Sequence, residues 1–406
     1  MHNLKALDDM KTIKHLVLIV ALCFHGSLHV AQAQNQAPAS STVDTGANAA
    51  LDMDTREAIE RVEVSVRDAF GKESKGALLV TTFRPQGAGP FPLVIINHGR
   101  STEARTTYPR QRYEGASRFF VRKGFAVAVP LRFGYGELSE LGDPEDSMSC
   151  SNPRYKPAGE AAAAQVVAVA KYMQGQTDID PKRLVIVGQS LGGFTTIAAT
   201  TLKPVGLVAA INFAGGHGGN PRERPGEPCQ AFLLERLFGE WGSQSVAPML
   251  WAYTENDQYF SAKNSRQWHA SFVKAGGRAE LAMLPAFGSD GHAIFGTGQD
   301  IWQPVVDAFL AKHGFTTPGS IMRPEPSGFA KIDDAQAVPI RPQARTNDYP
   351  KFLALQGARA LAIGADGRFG YASGDDAMSR ALAFCQKRTG QICRLYAVNN
   401  DVVWKP

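Results

Sequence analysis

The apolar run Leu184 to Val187 leads directly into Gly188-Gln189-Ser190-Leu191-Gly192-Gly193, and a helical pattern follows. A G-x-S-x-G sequence between a strand and a helix is a nucleophile elbow. The bend is tight enough to strain the serine backbone, and flanking glycines keep side chains from colliding there. The hydroxyl is thereby lifted above the sheet, with a helix N-terminus behind it that favours negative charge. A serine hydroxyl is a weak nucleophile near neutral pH and needs a base that is itself held by an acid. The chemistry open to such a group is acyl transfer through a covalent acyl-serine.

In this arrangement the chain order is serine, acid, histidine, so both partners are sought beyond Ser190. Five of the nine histidines lie beyond residue 33. His98 is upstream, His217 follows the next strand too early, His269 sits mid-helix, and His313 closes the last helix. His292, in Gly288-Ser289-Asp290-Gly291-His292, stands in a loop between the last sheet strand and the final helix, where a base belongs. The acid should lie in Thr254-Glu255-Asn256-Asp257. Asp257 is deep enough in that loop to turn back toward His292; Glu255 is its rival, and Asp290 is near enough to His292 to shape the loop instead. Charge developing on a carbonyl oxygen must meet preorganised N–H donors. The amides of Leu191 and of Arg100, in Asn97-His98-Gly99-Arg100-Ser101, are the expected pair. His98, Gln189 and the Arg100 side chain are expected to contact substrate, the last through a carboxylate. No C-x-x-C spacing points to zinc, and this chemistry requires no metal or organic cofactor.

Apolar runs at Leu93 to Ile96, Phe125 to Val129, Leu184 to Val187, Leu207 to Phe213, Met249 to Tyr253 and Glu280 to Leu284 alternate with helical segments near 110–122, 159–175, 191–202, 264–275 and 301–312. Continuous rather than alternating hydrophobicity marks strands buried on both faces, hence a mostly parallel, doubly wound α/β sheet. The strand patterns at Val62 to Val66 and Gly76 to Phe83 predict an antiparallel edge hairpin before it. The α/β domain is expected over 56–315. A Pro-rich aperiodic linker (316–348) follows, then a small α+β module (349–406) with strands in Leu353 to Tyr371, a helix over Asp375 to Arg388, and closing strands at Cys393 to Val398 and Val402 to Trp404.

Residues 1–33 read as an export signal: Lys11 and Lys14 precede an apolar stretch from Leu16 to Phe24, and Ala31-Gln32-Ala33 offers a cleavage site after Ala33. That stretch is too short to span a bilayer, and no later one is long and apolar enough. Residues 34–55 read as a disordered tether. A secreted or periplasmic location follows as an expectation. The formal charge of +5 is modest and scattered, which excludes a nucleic-acid footprint. Removing Cys23 with the leader leaves four cysteines, and an even number in an oxidising compartment implies two disulfides. Three pairings are possible. Cys150 with Cys229 and Cys385 with Cys393 keep each bond within one candidate domain.

On His98-Gly99, Gly188 to Gly193, Glu255-Asn256-Asp257 and Gly291-His292, residues 60–313 resemble the dienelactone hydrolase-like branch of the α/β-hydrolase superfamily. Pro130-Leu131-Arg132-Phe133-Gly134-Tyr135-Gly136 is similar to a loop of its exported members. Dienelactone hydrolases use a cysteine where this chain has Ser190, so the resemblance implies serine esterase chemistry on small or medium carboxylic esters. Two other readings stand beside it. One is a peptidase resembling the prolyl oligopeptidase group, whose usual propeller the tether and edge strands leave no room for; the other is a non-catalytic cell-envelope binding protein acting through its C-terminal module, whose partner is left open. The long segments Glu137 to Pro157 and Gly215 to Gln230 are expected to form a disulfide-tied rim over the site.

Overall fold

The computed structural model describes residues 55–101, 104–320, 323–374 and 376–406; the expected leader and nearly all of the tether lie outside the described residues. Strands β1 (Ala58–Arg67) and β2 (Glu73–Phe83) form the expected hairpin. In β1 Val62, Val64 and Val66 are buried while Glu63, Ser65 and Arg67 face water, the alternation of a one-sided edge strand. The sheet continues with β3 (Phe91–Asn97), β4 (Ala126–Leu131), β5 (Ile179–Gln189), β6 (Leu207–Phe213), β7 (Met249–Thr254) and β8 (Ala279–Leu284). Spatial order is β1-β2-β4-β3-β5-β6-β7-β8, with β2 antiparallel to both neighbours and all other pairs parallel. This is the α/β-hydrolase fold.

Continuous apolar strands arise because successive residues serve opposite cores. Leu93, Ile95, Leu184 and Ile186 pack under α2 (Tyr155–Gln174), α3 (Leu191–Thr201), α4 (Ala231–Gln244) and α5 (Ala262–Lys274). Their neighbours Val94, Ile96, Val185 and Val187 pack under α1 (Glu114–Arg122) and α6 (Gln299–Ala311). Each such side chain, fully buried, contributes roughly 1.5–3 kcal/mol. The crossover at β3, with β4 on one side and β5 on the other, opens a crevice at the carboxyl ends of β3 and β5, where ligands bind in such sheets.

Helix α4 is absent from the sequence reading. It carries Gly239 and Gly242, which weaken a helical signal. Helix α5 requires Gly242, where a Cβ would meet Phe272 O at 2.2 Å, and crowds Gly239, where one would meet Ser271 Oγ at 2.8 Å.

The segment read as a linker is packed instead. At its start, buried Lys123 Nζ reaches Asp307 (2.8 Å) and the carbonyls of Phe315 (3.0 Å) and Thr317 (2.6 Å). Near its end Val338 and Ile340 are buried in the C-terminal core, followed by short helices α7 (Pro342–Asn347) and α8 (Tyr349–Leu353). Isolated apolar residues anchored by tertiary contact have no periodicity to betray them.

The C-terminal module is a four-stranded antiparallel sheet of β9 (Arg359–Gly364), β10 (Phe369–Ser373), β11 (Cys393–Val398) and β12 (Asp401–Val402), ordered β10-β9-β11-β12. Its first strand begins at Arg359 rather than Leu353, which ends α8. Helix α9 (Ala377–Thr389) lies on small residues, Ala360, Ala362 and Ala372. It approaches so closely that a Cβ on Gly370 would meet Cys385 N at 2.4 Å. Cys385 and Cys393 are bonded there, and Cys150 is bonded to Cys229 in the α/β domain. Among the described residues no helix is long and apolar enough to cross a membrane.

Candidate active site

Ser190 occupies the bend between β5 and α3 with φ 60° and ψ −124°, a strained conformation for a residue with a side chain. What holds it there is close backbone packing. A Cβ on Gly188 would meet Gly192 O at 2.0 Å, and one on Gly192 would meet Asn97 O at 2.1 Å, so neither position admits another residue without movement. Ser190 N donates to Phe213 O (2.9 Å) and Ser190 O accepts from Phe194 N (3.0 Å), which pins the bend to β6 and α3.

Asp257 and His292 are brought together from the loops after β7 and β8. His292 Nδ1 lies 3.0 and 3.1 Å from the two Asp257 carboxylate oxygens. Asp257 is buried, and its Oδ1 also accepts from the amides of Tyr259 (2.8 Å) and Phe260 (2.9 Å). A carboxylate accepts only, so Nδ1 carries the proton and Nε2 is left as the basic nitrogen. Asp290 accepts from His292 N (2.9 Å) and Gln258 N (3.0 Å), shaping the histidine loop. Glu255 instead pairs with Arg266 at the surface (2.5 Å).

The His292 loop is tied to the serine bend, because Gln189 Nε2 donates to the His292 backbone carbonyl at 3.1 Å. No hydrogen bond joins Ser190 Oγ to His292 among the described residues; such bonds commonly tighten only when substrate is in place. Two flanking features escaped the sequence reading. Tyr259 stacks on the imidazole, with centroids 4.1 Å apart and planes at 23°, and Phe260 meets it edge-on at 5.4 Å. Asn256 bonds the Phe287 amide (2.9 Å) and the Gly288 carbonyl (3.1 Å), buckling the two loops together. The aromatic pair directly after the acid was the available signal.

The amides of Arg100 and Leu191 have no hydrogen-bond partner among the described residues, and both residues line the pocket beside Ser190. The expected substrate contacts are placed differently. His98 is wholly buried: Nε2 accepts from Arg132 N (3.2 Å) and Nδ1 donates to Gly99 O (2.7 Å). Burial, then Arg132 nearby, hold it neutral, well below the usual histidine range. Gln189 is committed to the His292 carbonyl. The Arg100 guanidinium is already paired with Asp143 (2.6 and 3.1 Å) and Tyr135 (3.2 Å), so a substrate carboxylate would have to compete for it.

The pocket holds about 390 Å³. Its walls come mainly from the two long segments bridged by Cys150–Cys229, and the polar groups of Ser147, His217, Asn220 and Arg224 share them about equally with apolar surface such as Met148, Leu191 and Phe260. His217 Nδ1 lies 3.3 Å from Ser147 Oγ and its Nε2 lies 3.3 Å from the Glu145 carbonyl. With a carbonyl rather than a carboxylate behind the ring, this second serine–histidine contact lacks the acid a base needs. Burial, then Arg100, push His217 down to about 4. Among the described residues no cluster of histidine, cysteine, aspartate and glutamate could hold a metal.

Residues 147–215 match the prolyl oligopeptidase family, Peptidase_S9. No curated protein matches the chain. Among solved structures, a Klebsiella pneumoniae protein assigned as a dienelactone hydrolase is 19% identical with a TM-score of 0.37, covering 56% of this chain and 85% of that one. A puromycin-hydrolyzing peptidase of Mycobacterium tuberculosis is 18% identical with a TM-score of 0.44, covering 66% and 41%. Est1E of Butyrivibrio proteoclasticus is 14% identical with a TM-score of 0.40, covering 62% and 98%. The chain thus spans about two fifths of the peptidase's length and most of the other two. Fold and site chemistry together are those of a serine hydrolase of the α/β-hydrolase fold.

Proposed function

We propose that the protein is an exported esterase cleaving small or medium carboxylic esters, with Ser190 as nucleophile, His292 as general base and Asp257 as its acid. The observation that carries this is the buried Asp257–His292 pair, its histidine loop tied to the strained Ser190 bend, at a pocket of about 390 Å³. Ser190 attacks the ester carbonyl while His292 Nε2 takes its proton; the alcohol leaves with that proton, and water activated by His292 releases the acid. The amides of Leu191 and Arg100 receive the oxyanion. The confined pocket with its disulfide-tied walls supports a compact substrate rather than a long acyl chain. Export is supported by the leader-like residues 1–33 and by two disulfides, which persist in oxidising compartments.

A peptidase is the second reading, favoured by the prolyl oligopeptidase match at residues 147–215. p-Nitrophenyl acetate and butyrate, assayed beside peptide p-nitroanilides, separate the two. The expected result is ester turnover lost in Ser190→Ala; turnover of peptide amides alone selects the peptidase, and turnover surviving Ser190→Ala removes both.

A further inference from the structure

The loop Pro130 to Gly136 carries no part of the proposed reaction, yet it delivers a guanidinium to the back of the oxyanion loop. Arg132 is wholly buried and is bonded to Glu145, also wholly buried, by Nε to Oε1 (2.6 Å) and Nη2 to Oε2 (3.2 Å). The same Nη2 donates to His98 O (2.9 Å), and Arg132 N donates to His98 Nε2 (3.2 Å). His98 in turn bonds Gly99 O. Arg132 therefore grips both ends of the residue two places before the Arg100 amide. Glu145 is itself fixed by Tyr135 (3.1 Å) and Gln165 (3.2 Å), and its carbonyl holds His217 on the pocket wall.

A buried ion pair is costly to desolvate, and well-packed apolar residues of similar volume often serve stability as well or better. Stability alone thus does not account for a guanidinium and a carboxylate at this place. Resting on the esterase reading above, we infer that Arg132 and Glu145 are positioning residues that hold the His98-Gly99-Arg100 backbone so that the Arg100 amide meets the oxyanion. The pair also joins that backbone to the segment walling the pocket. Geometry of this kind acts mainly on the transition state, since donors aimed at a developing charge lose value when displaced by a fraction of an ångström.

The test uses the full chain with Glu145→Gln and, because breaking a buried pair can unfold it, the apolar double variant Arg132→Met/Glu145→Leu. With p-nitrophenyl butyrate, kcat is expected to fall by about ten- to a hundredfold with KM nearly unchanged, while the double variant keeps its melting temperature. Affinity for butylboronic acid, which forms a tetrahedral adduct on the serine, should weaken by a similar factor, and binding of neutral butyramide should not. A folded double variant whose kcat and boronate affinity both stay within about twofold of the parent overturns the inference and leaves the esterase reading standing. A parent with neither ester turnover nor Ser190-dependent boronate binding sinks both.

Discussion

Asp257 serves two structures at once, and substitution should separate them. Its carboxylate orients His292 and also caps the turn at Tyr259 and Phe260. Asp257→Asn can still accept from those amides but cannot hold the same histidine tautomer. Ester kcat should fall roughly 10⁴-fold with little loss of stability, whereas Asp257→Ala should also unfold more readily by about 1–3 kcal/mol because buried amides lose their acceptor. Steady-state kinetics beside urea denaturation measure both. His217 offers a pH signature. Its pKa is about 4 in the folded chain and ordinarily near 6.5, so the unfolded chain binds more protons between these values. Stability should therefore rise with pH across that window and be lost as pH falls from 6.5 toward 4, by roughly 3 kcal/mol for this buried group. Buried His98 acts in the same direction. Melting temperatures from pH 4 to 7 should show a shallower slope in His217→Gln; an equal slope would mean that His217 does not carry the effect. The Ser190 bend and the pairing of Asp257 with His292 were legible because fold order confines each residue to one loop. The partners of His98, wholly buried on Arg132 and Gly99, and of Gln189, bonded to the His292 carbonyl, were not legible, because spacing cannot tell which side of a loop a side chain serves.

The two segments walling the pocket have little secondary structure, so the covalent bond does much of the ordering. Cys150 and Cys229 are 79 residues apart, and cross-linking a loop of that length removes roughly 4 kcal/mol of denatured-state entropy, against roughly 2–3 for Cys385–Cys393 with its separation of 8. Cys150→Ser/Cys229→Ser should lower the melting temperature more than Cys385→Ser/Cys393→Ser. It should also raise KM for esters, because both sulfurs line the pocket while the other pair lies in the C-terminal module. An unchanged KM would show that the walls are set by packing alone. Strands here were legible where an unbroken apolar run served both cores, and helices where one face served a single core. Helix α4 was not: Gly242 is dictated by the backbone of α5 and Gly239 lies against the Ser271 hydroxyl, tertiary demands that no local pattern expresses.

The α/β domain does not end where its last helix does. Phe315 is buried against Phe125, with ring centroids 4.7 Å apart, under the guanidinium of Arg183. The Lys123 ammonium, its side chain 1% exposed, is hydrogen-bonded among the described residues by Asp307 and the carbonyls of Phe315 and Thr317. Asp307 in turn accepts from the amides of Gly319 (3.0 Å) and Ser320 (2.9 Å). A chain stopped after Lys312 loses the Phe315 side chain, about 2–3 kcal/mol of burial, and strips a buried ammonium of two of its three acceptors. One stopped after Ser320 keeps all of these contacts. Polar contacts from the C-terminal module back to the domain, Asn399 Nδ2 to Asp300 (2.7 Å) and Asp376 to Arg118 (3.4 Å), fall on α6 and α1, on residues that do not line the pocket. The chain ending at Ser320 should therefore fold and retain ester kcat and KM within about twofold, while the one ending at Lys312 should melt several degrees lower or aggregate. Paired expression, thermal melts and butyrate kinetics decide it. If removal of residues 321–406 abolishes turnover in a chain that still melts cooperatively, the module belongs to the catalytic apparatus, and the site cannot be the self-contained unit derived above.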